Sequence, residues 1–118
     1  MSGHEQQWRA ALTEGRFLLQ RAPDGRVVFP PRAAAPGTGE PLEWIEASGR
    51  GTVYSLSWIH QRPPAPPYHV ALIDLEEGAR LMSRVEGTTP ETLHIGQAVR
   101  AVIAGSVDAP LLVFRAED

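Results

Sequence analysis

Apolar residues recur at helical spacing only near the start of the chain; beyond that they alternate with polar ones or form short runs. Between Glu5 and Glu14, Trp8, Ala11 and Leu12 fall three and four positions apart, the spacing that gathers side chains on one helix face. Gly15 stands where a helix C-terminal stop belongs. Phe17 to Arg21 and Arg26 to Phe29 then flank the turn-forming Ala-Pro-Asp-Gly, which predicts a hairpin or knuckle that Pro30 and Pro31 terminate. Ala33 to Pro41 is small, rich in Gly and Pro and without period, so it reads as a loop, and the main boundary is placed here. The division is residues 1–41, a helix with a hairpin, and residues 42–118, a β domain.

Leu42 to Glu46 and Gly51 to Ile59 read as strands. In the second, Tyr54, Leu56 and Trp58 fall on one face and Ser55 and Ser57 on the other, the mark of a half-buried strand. The loop from Gln61 to Pro67 holds four prolines in seven residues, which predicts a semi-rigid extended arm. Tyr68 to Leu75 is nearly continuously apolar, as a central strand would be, and Glu76-Glu-Gly78 turns the chain into a return strand from Ala79 to Val85. Thr89 and Pro90 provide the N-cap and first-turn proline of a single helical turn reaching Leu93, closed by Gly96. Ala98 to Ala104 and Leu111 to Phe114 complete the set. Five strands with one helical turn before the fourth suit a mostly β fold, a partly open OB-type barrel. An SH3-like barrel fits the same pattern.

Composition sharpens this picture. Eleven prolines and eleven glycines in 118 residues mean frequent turns, and the length suits one modest core. The absence of cysteine removes disulfides, thiolate zinc sites and a cysteine nucleophile together. A formal charge of −3 gives no overall attraction to phosphate. The opening residues lack a basic segment followed by an apolar run, and charges and prolines interrupt every apolar stretch, so a soluble cytoplasmic protein with no membrane contact is expected.

No catalytic group stands out. His4, His60, His69 and His94 are scattered without ligand spacing, and only His60, continuing the Tyr54 face towards a barrel mouth, is kept as a candidate. Asp74, Glu76 and Glu77 cluster at a turn where solvated charge is ordinary, and Ser48, Ser55 and Ser57 lack a Gly-x-Ser-x-Gly setting. Arg50, Arg62, Arg80, Arg84 and Arg100 offer positive charge that could meet nucleic acid, coenzyme A phosphates or an acidic protein surface.

Gly49-Arg-Gly-Thr-Val-Tyr-Ser55, His60, Pro67-Tyr68 leading into Val70-Ala-Leu-Ile-Asp-Leu75, Gly78-Ala-Arg-Leu81, Ile95-Gly96 and Val99 together are similar to the acyl-CoA-associated OB-fold family, domain of unknown function 35. Phe29-Pro-Pro-Arg32 and Trp44 extend the resemblance over nearly the whole chain. It implies an N-terminal helix, a rubredoxin-like zinc ribbon and a C-terminal five-stranded OB barrel. It also implies a scaffold that binds a thiolase-like enzyme, or a hot-dog-fold hydratase, acting on acyl-CoA. The departure is at the ribbon: the four ligand places of the family pattern fall on Arg21, Asp24, Ala35 and Thr38. One carboxylate and one hydroxyl do not make a tetrahedral zinc site, so a metal-free ribbon remnant is expected.

The expected function is therefore a non-catalytic accessory subunit that binds and stabilises its partner, needs no cofactor, and could touch coenzyme A held by that partner. Trp8 on the helix, and His60, Arg62, Pro64 and Tyr68 around the proline loop, are the expected partner-binding residues. The alternatives are a stand-alone OB module for single-stranded nucleic acid, against which the charge argues, and a small acyl-CoA-binding protein.

Overall fold

A computed structural model of the chain describes residues 3–106 and 108–117. Helix α1 runs His4–Thr13. The Gly3 N–H donates to Gln6 Oε1 at 3.2 Å and occupies one of the donors that a helix start leaves open. At the other end Arg16 N–H bonds Ala11 O at 2.8 Å and Gly15 N–H bonds Leu12 O at 2.9 Å. This paired closure needs a left-handed residue between them, and Gly15 provides it at φ 82°.

The chain then forms a small antiparallel sheet of β1 (Leu18–Arg21), β2 (Val27–Val28) and β3 (Glu43–Glu46) in the order β2-β1-β3. Leu18, Leu19 and Gln20 of β1 are all buried, so β1 is a central strand that needs a neighbour on each edge. β3 supplies the second, pairing Ile45 with Leu19 and Trp44 with Gln20. The segment expected in the barrel is thus the third strand of this small sheet. Gln20 is the buried polar residue of this layer. Its amide exchanges two bonds with the Arg32 backbone, at 2.9 and 2.7 Å, which pins the chain after Phe29-Pro-Pro-Arg32.

A six-stranded sheet follows, in the order β6-β5-β4-β8-β9-β7, made of β4 (Arg50–Ile59), β5 (Tyr68–Leu75), β6 (Arg80–Ser83), β7 (Val85–Glu86), β8 (Ala98–Gly105) and β9 (Pro110–Ala116). β6 and β7 are two halves of the expected return strand. The first half pairs antiparallel with β5; past Arg84 the second pairs parallel with β9, where Phe114 N–H bonds Arg84 O at 3.0 Å. That switch curls the sheet into the expected partly open OB barrel. The turn before β8 is held by the Leu93 and Thr92 N–H groups on Thr89 O, both at 3.0 Å, and it drives Leu93 into the core.

One correction concerns β4. Its ladder with β5 shifts between Val53 and Ser55, so Tyr54 is the extra residue of a β-bulge. Val53 faces inward before the bulge and Leu56 and Trp58 pack on the core after it, while Tyr54 turns out and is 49% exposed. Arg80 lies over its ring at 3.4 Å from the centroid.

Phe17 and Leu19 share one core with Val53, Ile73, Val85, Val99 and Phe114, so ribbon sheet and barrel are packed as one body. The link between them passes Gly49 at φ 83° and Gly51, where a Cβ would stand 2.8 Å from Ile73 Cγ2 and 2.9 Å from Asp74 O. Only glycine lets β4 approach β5 this closely. None of the helices among the described residues is long and apolar enough to cross a membrane.

Candidate docking surfaces

Of the five expected partner-binding residues, His60, Arg62 and Pro64 fall on the loop between β4 and β5 and Tyr68 opens β5, and all four are exposed, Tyr68 by 51%. The loop is a folded knuckle and not the extended arm its prolines predict. Ala65 N–H bonds Arg62 O at 3.2 Å, and Gln61 Nε2 donates to Pro66 O at 2.7 Å. Prolines bring carbonyl acceptors without N–H donors, and the Gln61 amide fills that need from within the loop.

Beneath the loop the Trp58 and His69 rings, cross-strand neighbours, lie with centroids 4.5 Å apart. His69 Nε2 accepts the Val85 N–H at 2.9 Å, which requires a neutral ring protonated on Nδ1. Burial lowers the pKa of His69, and the nearby Arg84 charge adds to the effect. Trp58 Nε1 is buried and has no acceptor among the described residues.

Trp8 belongs to another surface. Its indole N–H bonds Leu18 O at 2.8 Å and its ring meets Phe29 edge-on at 5.5 Å, which ties α1 to the ribbon sheet. Beside it lies a hollow of about 210 Å³ lined also by Met82 and Leu111, which are 70% and 45% exposed.

The expected ligand places, Arg21, Asp24, Ala35 and Thr38, are each engaged in contacts of their own. Arg21 forks onto Glu43 Oε1 at 2.8 and 2.6 Å. Asp24 accepts the Arg26 backbone N–H at 2.9 Å, the main reason its pKa falls below the usual carboxylate value, and also pairs with the Arg26 guanidinium. Ala35 is buried and bonds Glu40 O through its N–H at 2.8 Å, and Thr38 Oγ1 accepts the Glu40 N–H at 3.3 Å. The turns at these positions are held largely by backbone bonds, and one carboxylate and one hydroxyl do not make the donor set of a tetrahedral zinc ion. Among the described residues no three His, Cys, Asp or Glu side chains group in a way that could hold a metal.

The remaining candidates serve the fold. Arg80, Arg84 and Arg100 pair with Asp74, Glu86 and Glu117, so three members of the arginine set already have carboxylate partners. Glu76 and Glu77, expected to be solvated turn charges, clasp the link into the barrel. Ser48 N–H donates to Glu77 Oε2 at 2.6 Å and Ser48 Oγ bonds Glu76 Oε2 at 3.2 Å. Ser48 is therefore engaged by carboxylates, and among the described residues no histidine bonds it.

Sequence reasoning missed one feature. A cleft of about 600 Å³ opens between the residues that follow α1, Gly15 to Phe17, and the link Glu46 to Gly49, with Ala101 and Ile103 of β8 on its floor. Arg16 and Glu46 pair at its mouth at 2.9 Å, and that bond raises the Arg16 pKa. No residue type in these segments signals a site, because the cleft is made by where two strands part.

Helix, three-stranded sheet and OB-type barrel form one packed body, and it is this whole arrangement that other proteins share. Residues 44–104 match the family model described as "ChsH2, C-terminal OB-fold domain", and the chain belongs to that family, domain of unknown function 35. A DUF35 domain-containing scaffold protein of Methanocaldococcus jannaschii is 39% identical over 84 residues, which cover 66% of this chain and 60% of that protein. The 3-oxo-4,17-pregnadiene-20-carboxyl-CoA hydratase alpha subunit of Mycobacterium tuberculosis is 33% identical over 105 residues, 85% of this chain. The chain spans only 33% of that subunit's length. A solved structure described as "Ltp2-ChsH2(DUF35) aldolase" superposes with a TM-score of 0.82 at 32% identity, covering 98% of this chain and 96% of that one.

Proposed function

We propose that this chain is a non-catalytic accessory subunit that binds and stabilises a thiolase-like enzyme acting on acyl-CoA. The observation that supports the accessory-subunit part is the superposition over 98% of the chain on a chain from the Ltp2-ChsH2(DUF35) aldolase, and the thiolase-like identity of the partner rests on the family resemblance. Two relatives named as DUF35 domain-containing scaffold proteins, at 39% and 36% identity, support a structural role. The lack of a nucleophile with a positioned base among the described residues leaves the chemistry to the partner. A hot-dog-fold hydratase is the second candidate partner, favoured by the relatives named as hydratase alpha subunits at 33% and 36% identity.

Within this reading the subunit works in the cytoplasm, holds no zinc and needs no cofactor. His60, Arg62, Pro64 and Tyr68 form one contact surface, and Arg50 and Arg62 are the members of the arginine set outside the ion pairs found, able to meet coenzyme A phosphates carried by the partner. The test is co-expression of the full chain with a thiolase-like enzyme and, separately, with a hot-dog-fold hydratase. Co-elution on size exclusion with a raised melting temperature of the enzyme is expected for the thiolase-like partner. Binding to neither would overturn the proposal, and thioester turnover by the isolated chain that is lost in His60→Ala would overturn its non-catalytic part.

A further inference from the structure

We infer that the open edge of β8 at Ile103 receives an extended segment of the partner enzyme as an added β-strand; this rests on the accessory-subunit reading. The ladder fixes where each backbone group points. Ala101 sends its N–H away from β9 to Gly49 O at 2.7 Å, and its opposite number Phe114 sends its N–H away from β8 to Arg84 O at 3.0 Å. Backbone groups alternate sides along an antiparallel strand, so Ile103, two residues on, also turns both N–H and C=O away from β9. Leu112 opposite confirms the phase, since its carbonyl faces outward and accepts from Ser83 Oγ at 3.1 Å.

On that outward side β4 would have to continue, but β4–β8 pairing stops at Arg50 with Arg100, and the chain before it has turned off through Ser48 and Glu46. Among the described residues nothing bonds either Ile103 group. A donor and an acceptor on one residue of a strand edge match one residue of an extended chain, which exchanges both bonds with Ile103. The edge also lies on the floor of the 600 Å³ cleft, with Ala47, Gly49 and Ala101 leaving room for the incoming side chains. Arg16 and Glu46 stand at the rim. A single extended segment fits this concave edge, whereas in a second copy the same edge is flanked by Gly15 to Phe17 and Ala47 to Gly49, which line the cleft and keep two such edges apart. Gly105 at φ 81° ends the strand, so the added segment is short.

The test uses backbone chemistry. Ile103→Pro removes the cleft-facing N–H and leaves the bonds of β8 to β9, which come from Val102 and Ala104, in place; proline is tolerated at such an edge. Ile103→Val keeps the N–H. In the free chain the Ile103 amide is expected to exchange rapidly between protected Val102 and Ala104 amides, and to gain protection at least tenfold when the acyl-CoA enzyme is bound. Ile103→Pro is expected to weaken binding of that enzyme at least tenfold and Ile103→Val less than threefold, with unchanged circular dichroism in both. An Ile103 amide already protected in the free chain overturns the inference. So does one that stays unprotected in the complex, or an Ile103→Pro variant that binds as wild type does. A wild-type chain that binds neither acyl-CoA enzyme overturns the accessory-subunit reading itself, and the inference falls with it.

Discussion

Replacing Trp8 separates a structural tie from a docking residue. The indole makes a partly buried hydrogen bond to Leu18 O at 2.8 Å and an edge contact with Phe29 at 5.5 Å. Trp8→Phe keeps most of the ring contact and deletes the donor, a loss of about 1 kcal/mol for one hydrogen bond. Trp8→Ala removes the whole side chain. A fully buried tryptophan costs roughly 3–5 kcal/mol on such truncation, and Trp8 is half-buried, so about 3 kcal/mol is expected. For a domain of this size 1 kcal/mol moves the melting temperature by about 4 °C, which gives a fall of about 4 °C for Trp8→Phe and about 12 °C for Trp8→Ala. Thermal melts followed by circular dichroism, checked against calorimetric enthalpy for two-state behaviour, measure both. A Trp8→Ala protein melting within about 2 °C of wild type would refute the reasoning, on the same size scaling. If that variant also lost partner affinity, Trp8 would be a partner contact as well, as expected from the sequence.

Three further outcomes follow from the geometry. Because the folded pKa of His69 is depressed, the folded chain binds fewer protons than the unfolded one; stability is full above the unfolded value and falls as pH drops from about 6.5 through the folded value. Urea melts at pH 7 and pH 5 should show this loss in wild type and a smaller one in His69→Gln, and equal slopes in the two proteins would contradict it. Gly51→Ala forces a Cβ against the Asp74 carbonyl and is expected to cost about 1–3 kcal/mol, whereas Gly3→Ala, with nothing within 4 Å and only an N-cap preference to lose, should cost less than about 1 kcal/mol in the same denaturation assay. Purified protein should carry far less than one zinc per chain by elemental analysis, with a melting temperature indifferent to chelator; about one equivalent of zinc would defeat the reading of Arg21, Asp24, Ala35 and Thr38.

The local elements were legible in the amino-acid pattern because their causes are local. Helical spacing around Trp8 and Leu12, the stop at Gly15, the apolar run Tyr68–Leu75 and the Thr89-Pro90 turn depend on near neighbours, and each stands where expected. The motifs from Gly49 to Val99 likewise carried the family. What the chain alone did not determine was which edges meet. Leu42 to Glu46 reads as a strand but carries no mark of its partner, and only the two-sided burial of β1 draws β3 into the ribbon sheet. Tyr54 reads as inward by alternation, yet a bulge is a mismatch of count between two strands and so is invisible in either one. The open groups of Ile103 exist because the chain before Gly49 turns away from β8, the Ala47 N–H going to Phe17 O instead. Side-chain period is written in the sequence of one strand, whereas pairing, register and the unpaired edge are properties of two strands brought together by the core they share.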